Sequence, residues 1–173
     1  GGFPVHARPR TRRYVLAHDL GTTANKAVLY DQDGRMAGSA TVAYPTEYAH
    51  TGWAEQDPEY FWQALCQATR QLFAGTDIRP EAVAGVALTT QRSTLINLDR
   101  DGRPLRPAIV WLDQRRAEGL PPIGGLWGAI FRLVGMADTV AYLQAEAEAN
   151  WIRTRQPEVW AATHKYLLLS GYL

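Results

Sequence analysis

The sequence predicts a domain of α/β or α+β class built on a mixed sheet. Three observations lead there. Three short apolar segments follow one another near the start, joined by tight turns. A capped amphipathic helix and further apolar runs of strand length come next. The last third changes to helical patterns behind a break rich in glycine and proline. Strands paired first as hairpins and then joined through a helix make a sheet with antiparallel and parallel neighbours.

The first strand is read at Arg13 to Leu20, apolar and partly β-branched, ending at Asp19. Gly21 to Asn25 is the turn, and Lys26 to Asp31 the second strand. Asp31 to Gly34 is an Asp-Gly hairpin signal. Arg35 to Pro45, interrupted by Gly38, is the third strand. Asp57, Pro58 and Glu59 then start a helix with a cap, a first-turn proline and a first-turn acid. Phe61, Leu65, Ala68 and Leu72 share its apolar face, and Gly75 ends it. Trp53 and Trp62 are expected to pack, as is Cys66.

Ala82 to Gln91 is continuously apolar, as a buried strand would be. Ser93 to Asp99 is another strand, turned by Asp99 to Gly102, and Pro107 to Asp113 a short strand or loop. Gly119 to Gly125 breaks the pattern. Helices are predicted over 126–134, 139–155 and 157–169.

Composition narrows the function. The chain has 173 residues, enough for one domain with its own core. Its net charge of +1 argues for neither nucleic acid nor a membrane surface as partner. No apolar run reaches the ~18 residues of a membrane span. The single cysteine, Cys66, cannot form an internal disulfide, which fits a cytoplasmic protein. The four histidines lack metal-ligand spacing, so no zinc site is expected. The arginine-rich start, residues 1–13, reads as a mobile basic segment. The apolar end, LLLSGYL, suggests a fragment of a longer protein.

The turn after the first strand carries more chemistry than a turn needs. Gly21 permits close approach, Thr22 and Thr23 offer hydroxyl and amide donors, and Lys26 adds a cation. Such a set suits a polyphosphate. Asp19 then fits as a holder of Mg²⁺, directly or through its waters. A plain hairpin with Asx and Thr turn bonds is the other reading of the same residues.

Four stretches in order resemble the FGGY carbohydrate kinases, the family of glycerol kinase and xylulokinase. They are DLGTTANKAVLYDQDG (from Asp19), GWAEQDPEYFW (from Gly52), GVALTTQRSTLINLDRDGRPLRPAIVWLDQRR (from Gly85) and WIRTRQPEVWAATHKYLLLSGYL (from Trp151). The likeness runs from Tyr14 to the end and is weakest over 117–150. It implies an actin-like, ribonuclease-H-like ATPase domain, a mixed sheet with flanking helices. Residues 14–173 would be the first part of the family's N-terminal domain.

The resemblance also implies roles. Asp19 would act on Mg²⁺, and Gly21, Thr22, Thr23 and Lys26 on the ATP phosphates. Gln91, Arg92 and Ser93 would belong to the substrate loop. Glycerol kinases read Gln-Arg-Glu there, so Ser93 removes a strong acceptor for two hydroxyls. Trp111 and Asp113 match the family's Trp-x-Asp-x-Arg. Trp111 could stack on a sugar and Asp113 accept from a hydroxyl; a buried aromatic and a helix cap are the structural alternative. The catalytic aspartate of the family lies beyond Leu173. The implied activity is ATP-dependent phosphorylation of a sugar or polyol hydroxyl by the parent protein, with the fragment alone inactive. A truncated, non-catalytic binding module is the alternative. Many family members pair, so a homodimer of the full-length protein is compatible with the resemblance.

Overall fold

The computed structural model describes residues 13–173, so the basic segment before Arg13 lies outside the described residues. The chain divides into two compact units. One runs up to Pro45 and resumes over Glu59–Gln91; the other holds Thr46–Pro58 and Arg92–Leu173.

The first unit is a four-stranded sheet with a helix on it. Strands β1 (Tyr14–Leu20), β2 (Ala24–Tyr30) and β3 (Met36–Ala43) form an antiparallel meander, and β5 (Val83–Thr90) pairs parallel to β1. The order is β3-β2-β1-β5. Parallel pairing of β1 and β5 needs a crossover, and helix α1 (Pro58–Ala74) lies on that connection. β1 alternates as a half-buried strand should: Tyr14, Leu16, His18 and Leu20 point inward. They meet α1 in a core of Tyr14, Leu16, Ala27, Leu29, Ala68 and Leu72. Each fully buried leucine of this kind is worth roughly 1.5–3 kcal/mol of apolar burial.

The helix begins after Asp57 and buries Phe61, Ala64, Ala68 and Leu72, while Leu65 and Cys66 are only half-buried. Trp62, expected to pack, is 48% exposed, because its position falls outside the stripe that faces the sheet. β2 starts at Ala24, two residues before the expected Lys26, since pairing reaches Leu20↔Asn25 right up to the turn. β5 departs most from expectation. Its apolar run suggested a buried strand, yet Val86 is 67% exposed. Among the described residues the strand stands at the sheet edge with β1 as its one neighbour, and continuous apolarity reports suitability for burial, not burial itself.

The second unit contains an antiparallel sheet, order β4-β7-β6-β8: β4 (Glu55–Gln56), β7 (Ala108–Ile109), β6 (Leu95–Leu98) and β8 (Lys165–Leu168). Helices α2 (Gly125–Leu133), α3 (Ala137–Glu146), α4 (Glu148–Arg155), α5 (Pro157–Ala162) and α6 (Leu169–Tyr172) complete it. Ile109, Ala117, Trp151 and Ile152 form its core. Two expectations change here. The single helix over 139–155 is two, divided at Ala147, whose ψ of 112° is extended. The helix over 157–169 stops at Ala162, and Lys165–Leu168 pairs as β8 with β6, Leu95↔Leu168 to Leu98↔Lys165. Helical and strand periods cannot be told apart in so short an apolar run. Among the described residues no helix is long and apolar enough to cross a membrane.

Candidate functional site

In the first unit the turn between β1 and β2 spans Gly21–Thr23. Its backbone is closed by the Gly21 N–H donating to the Ala24 carbonyl at 3.0 Å. Tyr44 fastens it twice: its hydroxyl donates to the Gly21 carbonyl, and its amide donates to the Thr23 carbonyl at 3.1 Å. The Tyr44 ring is buried and meets Phe61 edge-on, 5.2 Å between centroids. Burial, and then the charge of Asp19, hold the Tyr44 phenol above its usual range, so it stays a donor.

Asp19, Thr23 and Lys26 are exposed around this turn. Asp19 and Lys26 face each other across the β1–β2 ladder, and Thr89 is the β5 partner of Asp19. A Cβ at Gly21 would find only the Ala24 carbonyl oxygen, at an ordinary 3.6 Å. The packing of the fold therefore does not require glycine there. Among the described residues no three His, Cys, Asp or Glu side chains gather as a metal cage. A single exposed carboxylate fits Mg²⁺, which keeps most of its waters and takes phosphate oxygens.

β1 itself is anchored beneath the turn by polar contacts. His18 Nδ1 lies 3.1 Å from Asn25 Nδ2, and His18 Nε2 lies 3.2 Å from Thr69 Oγ1. Burial lowers the His18 pKa, with the Asn25 contact opposing in part. Gln91, at the end of β5, donates its amide to the Leu20 carbonyl at 2.7 Å.

The second unit holds a cavity of about 970 Å³. Ser93, Trp111, Asp113, Arg115, Arg116 and Glu148 are among the residues that line it. Ser93 has φ of 51°, the one non-glycine in the left-handed region among the described residues, as functional loops often tolerate. Arg92 beside it is exposed. Trp111 is 54% exposed, so much of its indole remains open.

Asp113 is more constrained. Its carboxylate accepts from the Ala54 amide at 2.7 Å and the Arg115 amide at 2.9 Å, and pairs with the Arg115 guanidinium at 2.8 Å. These bonds order the loop that carries Trp111. Arg115 in turn reaches Glu55 at 2.9 Å and lies between two indoles, 4.1 Å from the Trp53 centroid and 4.4 Å from that of Trp151. Arg106 is also paired with Glu55, and its Nε donates to Gln156 at 2.9 Å.

Sequence reasoning reached Trp111 and Asp113 but not the groups that hold them. Arg115 was visible in Trp-x-Asp-x-Arg; its clamp of Trp53 and Trp151, nearly a hundred residues apart, was not. Glu148 carries no local signal, because the sequence pattern runs as continuous helix through the break at Ala147 that starts α4. Tyr44 was hidden at the end of β3 in an apolar stretch.

The model of the FGGY family of carbohydrate kinases, N-terminal domain, matches residues 14–173. The chain belongs to this family. A glycerol kinase of Thermococcus gammatolerans is 33% identical over 161 residues, covering 92% of this chain and 32% of its own length. One from Carboxydothermus hydrogenoformans is 39% identical over 108 residues, 62% of this chain and 22% of its own. The chain thus spans about a third of the curated relatives it matches at greatest length. Among solved structures, a xylulose kinase from Rhodospirillum rubrum superposes with TM-score 0.71 at 25% identity, covering 92% of this chain and 33% of its own. A gluconate kinase from Lactobacillus acidophilus gives TM-score 0.71 at 24% identity, covering 93% and 32%, a likeness of fold. The FGGY fold is the actin-like, mixed-sheet architecture expected from the sequence.

Proposed function

We propose that this chain is the phosphate- and sugar-binding part of an ATP-dependent kinase that phosphorylates a hydroxyl of a sugar or polyol. The observation that carries the reading is the first turn: exposed Thr23, Asp19 and Lys26 around a glycine the fold does not demand, in a chain of the FGGY family. Thr22 and Thr23 would bind the β- and γ-phosphates of ATP, with Gly21 admitting them and Lys26 lending positive charge. Asp19 would hold Mg²⁺ through its waters, and the ion would neutralise charge as it develops on the phosphoryl oxygens.

Gln91, Arg92 and Ser93 would meet the sugar, with Trp111 stacking on its C–H face and Asp113 ordering the loop beneath. The acceptor of the hydroxyl proton is not among these residues, so the activity belongs to the full-length protein and not to residues 14–173 alone. A homodimer of that protein and a cytoplasmic location complete the proposal.

The test is an ADP-release assay on the full-length protein with MgATP and a panel of polyols and ketoses. Wild type should release ADP only with some member of the panel, and Asp19→Ala should lose most of that rate. A folded full-length protein that releases ADP with none would remove the kinase reading in favour of a non-catalytic binding module.

A further inference from the structure

The cavity of the second unit is lined by a carboxyl with one oxygen that has no hydrogen-bond partner among the described residues. Glu148 opens α4, and its Oε2 is buried without a hydrogen bond. The arginines around it already have carboxylate partners, although Arg106 Nη1 and Arg115 Nη1 are buried without an acceptor. Arg106 is held by Glu55 and Gln156, and Arg115 by Glu55 and Asp113. Two arginines against two carboxylates leave Glu148 as surplus. Burial first, then the charge of Asp113, push its pKa up to about 8, against the opposing pull of Arg106 and Arg115. The Tyr166 hydroxyl, which feels the charge of Glu148, is also buried without a partner.

An isolated buried acceptor is costly, on the order of 1–3 kcal/mol or more for a charged group. Apolar replacement would avoid that cost, so a use for the group has to be sought in the cavity it lines. The cavity holds an unmet donor as well: Arg115 Nη1 is buried without an acceptor. A ligand hydroxyl donates and accepts at once, and can satisfy both kinds of group. Ser93, where glycerol kinases carry a glutamate, lines the same cavity.

We infer that Glu148 is a substrate-binding residue, whose carboxylate accepts from hydroxyls of a polyol or sugar in this cavity and supplies from α4 the acceptor that Ser93 does not. The inference rests on the proposed sugar site and adds a determinant of which polyol fits it. It makes the ligand site pH-sensitive. The groups that face the carboxyl are Asp113, Arg106, Arg115 and Tyr166. Ionisation of Glu148 strengthens it as an acceptor, so binding tightens as pH rises through about 8.

The experiment is calorimetric titration of the full-length protein, as wild type, Glu148→Gln and Glu148→Ala, with glycerol, xylitol and D-xylulose, and separately with MgATP. Wild type should bind at least one polyol. Glu148→Ala should weaken it by about 10- to 100-fold, the range for a hydrogen bond to a charged group, with MgATP affinity unchanged. Wild-type affinity should rise between pH 7 and 9, and that of Glu148→Gln should not. Glu148→Gln keeps the shape of the side chain and decides the matter by its pH profile if the alanine variant does not fold. Equal polyol binding in all three proteins, equal loss of polyol and MgATP binding, or no polyol bound by wild type would overturn the inference. ADP release separates it from the kinase reading: Glu148-dependent binding without ADP release removes the kinase and keeps the site, whereas polyol-dependent ADP release with Glu148-independent binding does the reverse.

Discussion

The Tyr44 hydroxyl donates to the Gly21 carbonyl, so the turn proposed to hold ATP phosphates is fixed from the end of β3. The aromatic ring is already positioned by Phe61, and the Tyr44 amide adds a second tie to Thr23. Tyr44→Phe keeps the ring and the amide tie and removes one donor. The expected loss is about 1 kcal/mol of stability, the usual worth of one hydrogen bond. If the turn holds phosphate, the KM for ATP should rise a few-fold while the KM for the polyol stays put. Thermal melting and steady-state kinetics on the full-length protein check both, and an unchanged ATP KM would show that the amide tie suffices.

Arg115 gives a second test, because it combines a fork with two stacked faces. Its guanidinium pairs with Asp113 and Glu55 while Trp53 and Trp151 cover it. Lysine retains the charge but neither the planar fork nor the stacking. Arg115→Lys should therefore cost about 2 kcal/mol, less than the ~3–5 kcal/mol of removing one partner of a buried pair outright. The Trp111 loop should loosen with it. Denaturant unfolding reads the first effect and indole fluorescence the second. Stability equal to wild type would mean that charge alone holds the cluster.

What was legible from sequence follows a physical division. The β1–β2–β3 meander declared itself because alternation and Asp-Gly turn chemistry are local, and α1 because Asp57-Pro58-Glu59 marks a start. The turn between β1 and β2 was legible for the same reason. The cluster of Glu55, Arg106, Asp113 and Arg115 joins β4, the loop before β7 and the loop after it, and no local period encodes such a meeting. β8 fits a helical pattern in sequence because its strand character comes from pairing with β6. The exposure of Val86 has the same cause: an apolar strand states what it could bury, and its neighbours decide whether it does.

Gly52 tests the support of Trp53. It has φ of 80°, and its carbonyl accepts from the Gln114 amide at 2.8 Å, next to the loop that carries Asp113 and Arg115. An alanine Cβ would meet Gln114 Cβ at 3.6 Å, an ordinary contact, so the backbone and not crowding is what resists substitution. Gly52→Ala should cost roughly 1–2 kcal/mol, the left-handed penalty for a residue with a Cβ. Gly52→Asn should cost less, since asparagine tolerates that region better. Melting temperatures in the order wild type, Asn, Ala check this; equal loss in both variants would point to crowding instead.

His18 predicts how stability responds to acid. It is buried, bonded to Asn25 and Thr69, and its pKa is lowered chiefly by burial. The unfolded chain takes up a proton near the ordinary value of 6.5, whereas the folded chain does so only at lower pH. Between those two points the unfolded state binds more protons, so stability rises with pH there and falls as the solution is acidified below about 6.5. Above that pH both states are neutral at His18 and its contribution is constant. His18→Gln can keep hydrogen bonds to both neighbours without a titrating group. Denaturant midpoints measured from pH 7.5 to 5 should fall for wild type and fall less for the variant. Parallel curves for the two proteins would assign the acid sensitivity to groups other than His18.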